Sequence, residues 1–383
     1  MIQVIRRELR RMATQPLYWL SMVVFPLMAT LFFTTLMGEG LPEQLPLGVV
    51  DEDHTSTSRS IVRNLSAFQS TATHIAYANP TEARKAMQRG EIYGYYLIPR
   101  GTSREAQLQR VPTVSFYTNY SYLVAGSLLY RDMRMMSELA SGAAARTVLY
   151  AHGATERMAM AYLQPIVIDM HATGNPWINY NVYLTNSLVP GVFGIFLFMI
   201  PIYSLGTELK WGTSGELLRT ARGHISHAVL GKLLPQAIVF LLVGTVIVLW
   251  LYGYLRFPCH GGILSMWIVM CLYVLACMGW GVFLFTMAQT LRLGLSFASL
   301  WGVLSFSICG MSFPVMAMHP VLQGLAWFFP LRHYFILYVN SALDGYPLLN
   351  AWPYVACLLC FALLLPLCLP RLRTVLERYC YVA

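Results

Sequence analysis

The chain has 383 residues, of which 57% are hydrophobic and 11% charged, with a formal net charge of +9. Soluble domains carry about 25% charged residues, so a surface this poor in charge faces lipid over much of its area and a wholly water-soluble protein is excluded. The basic excess calls for no nucleic-acid partner, because it collects beside apolar runs and follows the topology of a membrane protein.

The first apolar run, Leu17–Met37, follows Arg6, Arg7, Arg10 and Arg11. It is too long for a secretory h-region, and Gly38-Glu39-Gly40-Leu41-Pro42 after it offers no small-residue cleavage site, so a retained helix is expected. A long polar segment comes next. Leu45–Val50 reads as a strand, Ser56–Phe68 as a helix, His74–Ala78 as a strand, and Thr81–Arg89 as a helix capped by Thr81 and closed by Gly90. Ile92–Ile98 and Thr113–Thr118 read as strands. Leu123–Leu163 is helical in pattern, divided at Gly142 and Gly153, and Pro165–Met170 reads as a last strand. Together these predict a small mixed α/β domain inserted after the first membrane helix.

Five further runs approach the ~20 apolar residues that cross a bilayer: Asn186–Gly206, Val229–Tyr254, Ile263–Ala288, Leu293–Phe313 and Ala351–Leu369. Between the last two, 311–349 is too apolar for an exposed loop and too broken by Pro314, Pro320, Pro330 and Pro347 to cross. Short helices that dip into one leaflet and return fit it, with Arg332 and His333 near the interface. The expected fold is an α-helical polytopic membrane protein of six transmembrane helices carrying an inserted mixed α/β extracytoplasmic domain. Its parts are an N-terminal segment 1–16, a first helix 17–37, the inserted domain 38–185, helices two to six within 186–370, and a tail 371–383.

Segment 1–16, loop 207–232, the 289–292 turn and the tail each carry a basic excess, whereas 38–180 balances twelve basic against twelve acidic residues. The positive side is cytoplasmic, which places both termini and loop 207–232 inside and segment 38–180 outside. None of the eight cysteines lies in that outer segment, and Cys357-Leu-Leu-Cys360 sits in an apolar helix as small hydrophobes.

Loop 207–232 is polar in an apolar chain. Glu208 and Lys210 end the second span, Gly212 and Gly215 permit a sharp turn, and Thr213 or Ser214 can cap a short helix. Leu217 and Leu218 give that helix an apolar face, with Arg219 and Arg222 following. Such a helix either seats in another protein's groove or only separates two spans. No energy source is visible in the chain itself. Gly223 to Lys232 has the wrong glycine spacing for a phosphate-binding loop and Leu233 where a hydroxyl should hold Mg²⁺. His224 and His227 lack an acidic third ligand, Asp51-Glu52-Asp53-His54 reads as a turn capping the helix at Ser56, and the spans offer no embedded acid for a proton relay. No catalytic residue, metal site or cofactor site is expected.

The pattern E-x-x-x-G-T-x-x-x-L-x-x-T…G-K is met by Glu208, Gly212, Thr213, Leu217, Thr220, Gly231 and Lys232. Gly310, Phe313, Pro314, Pro320, Pro330 and Leu331 meet a second pattern after the fifth span. In both, the chain resembles ABC-2 type ABC-transporter permeases, in the branch of drug exporters and tripartite pumps with a large external domain after the first helix. It departs from them at Trp211, Cys309 and His319.

The resemblance implies a dimeric pathway, formed with a second copy or a paralogue, in the bacterial inner membrane. It implies a separate ATP-binding subunit, holding ATP and Mg²⁺, that docks on the coupling helix Glu208–Thr220, with Leu218 among the contacts. It further implies an amphipathic interface helix over 1–14, with Arg6, Arg7, Arg10 and Arg11 among headgroups while Ile2, Ile5, Leu9 and Met12 dip in. A periplasmic adaptor and an outer-membrane channel are further expected partners, and a hydrophobic or amphipathic molecule the expected cargo. Other functions on the same six-span frame are a membrane-anchored receptor or scaffold whose outer domain binds a protein, and a membrane-bound enzyme.

Overall fold

The computed structural model of the chain describes residues 1–108 and 110–378. Cys380 and the end of the expected tail lie outside them. The chain packs as two compact units, residues 1–40 with 172 onward, and residues 41–171.

Helix α1, Ile2–Thr14, buries Val4 and Glu8 on one face. Gln15 turns to extended geometry and Pro16 opens α2, Pro16–Leu36, where a missing N–H costs nothing. Within α2 the turn Leu20–Val24 is a wider π-helical one just ahead of Pro26.

Residues 41–171 form a four-stranded sheet in the order β2-β1-β3-β4. Strand β1, Leu45–Asp51, is followed by α3, Ser56–Leu65, and β2, Thr71–Ala76, which runs parallel to β1. Helix α4, Pro80–Gln88, leads to β3, Gly94–Ile98, parallel to β1 on its other side. Helix α5, Thr102–Gln107, precedes β4, Ser115–Thr118, antiparallel to β3. Helices α6, Leu123–Ala151, and α7, Glu156–Leu163, complete the unit. Alternation along β3 builds both faces: Tyr96 and Ile98 join Ile61, Leu65 and Met133 under α3 and α6, while Tyr95 and Leu97 pack with Ala83 and Ala86 of α4.

Three expectations for this unit need correction, and one helix is added. Asn79, not Thr81, caps α4: its side chain accepts from the Glu82 N–H at 2.9 Å, and Pro80 takes the first helical position. Helix α6 runs unbroken through Gly142 and ends at Ala151, two residues before Gly153, where φ is +80°. Helix α5 is additional. Residues 165–170 form no strand: Ile166, Val167 and Ile168 are exposed and pair with none of the four strands. The acidic turn leads into the helix as expected, but Thr55 rather than an acid caps it. Asp51 accepts from the Asp53 and His54 N–H groups and from Ser58 Oγ, while Thr55 forms a capping box with Ser58.

The remaining unit continues with α8, Tyr180–Lys210; α9, Ser214–Thr220; α10, Ile225–Tyr254; α11, Ile263–Ala288; α12, Leu291–Ile308; α13, Pro320–Ala326; α14, Pro330–Tyr338; and α15, Trp352–Arg378. Among the described residues, six helices (α2, α8, α10, α11, α12 and α15) are long and apolar enough to cross a membrane, and the protein is a polytopic helical membrane protein. Helix α11 is the most enclosed and packs against α8, α10, α12, α14 and α15.

Span ends differ from the hydropathy reading where polar residues are buried inside helices. Helix α8 starts at Tyr180 because Asn179 caps it, and Asn181, Thr185, Asn186 and Ser187 lie buried within it. Helix α12 stops at Ile308, and Gly310 follows with φ +100°, so Phe313 and Pro314 lie beyond it and are exposed. Pro320 and Pro330 begin α13 and α14. The tip between these helices folds back among the spans: Phe329 stacks on Trp301 at 4.6 Å. Trp301 lies two turns before the end of α12, a depth of roughly 10 Å.

Candidate functional site

Loop 207–232 meets α1 in one buried cluster. Position 208 is at the C-terminal end of α8, position 232 near the start of α10, and Glu8 midway along α1. Lys232 Nζ donates to Glu8 Oε2 at 2.8 Å and to Glu208 Oε1 at 2.8 Å. Glu208 also accepts from Arg11 Nη1 at 2.7 Å, from Arg7 Nη2 at 3.1 Å and from the Thr213 hydroxyl. Glu8 Oε1 accepts from Gln236 Nε2 at 2.8 Å and Ser204 Oγ at 3.0 Å. The second Arg11 amino group donates to Thr207 Oγ1 at 3.0 Å.

Three cations thus hold two carboxylates, and Glu8, Glu208 and Lys232 are shut off from solvent. Burial of ions is costly unless each is paired and hydrogen-bonded, and the cluster meets that condition for both acids. The arginines also sit by the C-terminal end of α8, where unpaired carbonyls favour positive charge. A cluster of this kind contributes little net stability but fixes geometry. Here it ties α1 to both ends of the loop.

The glycine at 231 is part of the same arrangement. A Cβ there would stand 2.8 Å from Val4 Cβ, so only glycine lets α1 lie this close to α10. After α8 the chain turns at Gly212, φ +67°, and Thr213 occupies the N-cap position of α9. Its hydroxyl goes to the Glu208 carboxylate instead of capping the helix.

The expected coupling residues therefore divide. Leu217 and Leu218 are buried in the core of this unit, and α9 packs on α1, α8, α10 and α15. Its apolar face is filled from within, not offered to another protein's groove. Glu208, Gly231 and Lys232 are likewise internal. Thr213 and Thr220 are half-buried, and Thr220 Oγ1 donates to the Glu216 carbonyl at 2.8 Å. Outward, the loop presents Lys210, Trp211, Gly212, Gly215, Glu216, Arg219, Arg222, Gly223, His224, His227 and Leu230. Trp211 is 68% exposed at the turn, with Lys210 Nζ 5.4 Å from its ring centre.

The arginines of α1 divide too. Arg6 and Arg10 are exposed, but Arg7 and Arg11 turn inward to Glu208 and are not free for headgroups. Ile2 and Leu9 are exposed, while Val4 packs against α10. Glu8 and Gln236 were not foreseen as members of a cluster. Their signals were helical spacing: Val4, Glu8 and Arg11 share one face of α1, and Lys232 and Gln236 stand one turn apart on α10.

A family model described as ABC-2 family transporter protein matches residues 16–367. The chain belongs to the ABC-2 family of transporter proteins. As a permease it is a component of a transporter rather than an enzyme in itself. Among curated proteins it is similar to one named "Probable multidrug ABC transporter permease YbhR" in Escherichia coli strain K12 and in strain O157:H7, 24% identical to each over 163 residues. Those residues are 42% of this chain and cover 43% of each relative, so the chain spans less than half the length of the curated relatives it matches.

Proposed function

We propose that this permease is the membrane subunit of an ATP-driven exporter, pairing with a second copy or a paralogue to enclose the pathway in a bacterial inner membrane. A separate ATP-binding subunit docks on the outward residues of loop 207–232, above all Trp211 and Arg219, with the loop and both termini cytoplasmic. ATP and Mg²⁺ belong to that subunit. The cargo is a hydrophobic or amphipathic molecule; the relatives' printed "multidrug" fits that reading. The outer unit contacts a periplasmic adaptor and, through it, an outer-membrane channel.

The single observation that supports this reading is the buried cluster joining Glu8, Glu208 and Lys232. A push on the loop cannot be absorbed by the loop alone, because its two ends and α1 are bonded together. The displacement passes as a rigid-body movement into α8 and α10. The test is reconstitution of the permease with its ATP-binding subunit in proteoliposomes loaded with a fluorescent amphiphile. ATP-dependent movement across the bilayer is expected. Movement without ATP, or none with an active ATP-binding subunit bound, would contradict the reading.

A further inference from the structure

Arg332 stands in an unusual place. It lies in the first turn of α14, inside the segment that folds back among the spans, and is only 9% exposed. Its Nε and Nη1 have no hydrogen-bond partner, and no carboxylate pairs with it among the described residues. The depth is considerable. The adjacent His333 ring lies 5.9 Å from the Phe361 ring, nine residues into α15, which is about 13 Å along that helix.

Chains do not keep unpaired cations at such depth without cause, and arginines that can reach the interface do so. This one is held instead beneath an aromatic ring. Its Cζ lies 5.5 Å from the centre of Trp327, which balances charge but supplies no acceptor for the N–H groups. The helix adds to the positive potential, because α14 begins with Pro330 and has no side-chain cap. Trp327 is 44% exposed, and Leu325 and Phe328 beside it are exposed as well. A partly exposed ring thus lies against the guanidinium, at an apolar rim.

We infer that Arg332 receives the acid group of an anionic amphiphile, a phosphate or carboxylate on an alkyl chain, whose tail lies along Leu325, Trp327 and Phe328. A planar two-pronged donor suits both acids. The ligand is either a lipid of the surrounding bilayer or a molecule taken from it. This narrows the cargo class of the proposed exporter if the ligand is carried, but binding itself needs no ATP-binding subunit. Transport could fail while this site stands, and the reverse.

The experiment uses the purified chain alone in phosphatidylcholine nanodiscs with radiolabelled dodecyl phosphate. Saturable binding is expected, displaced by unlabelled dodecyl phosphate and not by dodecyltrimethylammonium or dodecyl maltoside. Arg332→Gln should weaken it at least about tenfold, the loss of charge-assisted bonds, and Arg332→Lys by less, since it keeps the charge without the fork. Adding phosphatidylglycerol to the nanodiscs separates the sources: competition assigns the site to bilayer lipid, and no competition to a free amphiphile. Non-saturable binding, equal displacement by the cation, or an unchanged Arg332→Gln protein would overturn the inference. The charge selectivity of the wild-type protein decides the matter even if the variants fold poorly.

Discussion

Lys232 on α10 and Glu8 on α1 are 224 residues apart in sequence, yet their charged groups meet at 2.8 Å with neither side chain open to solvent. The same ammonium reaches Glu208 at 2.8 Å. One cation therefore joins the N-terminal helix, the end of α8 and the start of α10.

Removing that cation should be costly. Lys232→Met leaves two buried carboxylates short of a shared partner, and removing one member of a buried pair costs about 3–5 kcal/mol. Adding Glu8→Gln to it should recover part of the loss, with a coupling of about 0.5–3 kcal/mol between the two sites. Thermal unfolding of the four proteins in detergent measures the cycle. Strict additivity would mean that the contact is not energetically real.

The glycine at 231 offers a test of the same helix contact by packing. Gly231→Ala gains about 1 kcal/mol in helix propensity, but its methyl group meets the backbone-fixed Val4 Cβ, and overpacking costs about 1–3 kcal/mol. The net effect should be displacement of α1. Val4→Cys, shielded from maleimide in an otherwise unchanged protein, should become reactive when Gly231→Ala is added. Equal labelling with and without the alanine would count against the close approach.

The loop's outward and inward residues should separate cleanly. Trp211→Ala and Arg219→Glu change exposed side chains and should leave stability within about 0.5 kcal/mol. They should also reduce co-purification of the ATP-binding subunit more than tenfold if Trp211 is a buried anchor worth about 2 kcal/mol or more. Leu217→Asp places a charge in the core and should fail in folding first. Wild-type co-purification by the Trp211→Ala, Arg219→Glu double variant would remove the docking surface.

Asp53 gives the unit of residues 41–171 a pH dependence. Desolvation pushes its carboxyl up, but bonds from Ser103 and Thr55, with the Ser103 and Gly101 N–H groups, outweigh this and hold it below the usual carboxylate range. Because the native value lies below the unfolded one, its contribution is fully present above about pH 4. It is lost as pH falls through the native value. Asp53→Asn should lower stability at neutral pH and flatten the decline below pH 4, read by hydrogen exchange of β1 and β3 amides in the full chain. An acid decline identical to wild type would assign the dependence elsewhere.

Much of this architecture could be read in advance because it rests on local pattern. Six apolar runs and alternating strands announce themselves, and the Gly212-Thr213 turn is visible as a turn. What could not be read was direction. Glu208, Leu217 and Lys232 are polar or apolar residues of a loop, and spacing does not say whether a side chain faces a partner or the chain's own first helix. Glu8 was hidden for a related reason, since a lone acid in an arginine-rich helix looks like part of its wet face. The β-branched run at 166–168 misled oppositely: local preference for a strand is not enough without a neighbouring strand to bond it. Asn79 was legible in principle, because Asn-Pro-x-Glu is a helix-start pattern.

The most direct test of the coupling account is photo-cross-linking in the assembled complex. p-Benzoylphenylalanine is placed singly at positions 211, 219 and 217, and the permease is purified with its ATP-binding subunit and irradiated. The account predicts adducts with that subunit from positions 211 and 219, and only intramolecular products from 217. Adducts from 217 with none from 211 would contradict it, and would place the docking surface on the face of α9 that packs inward in this structure.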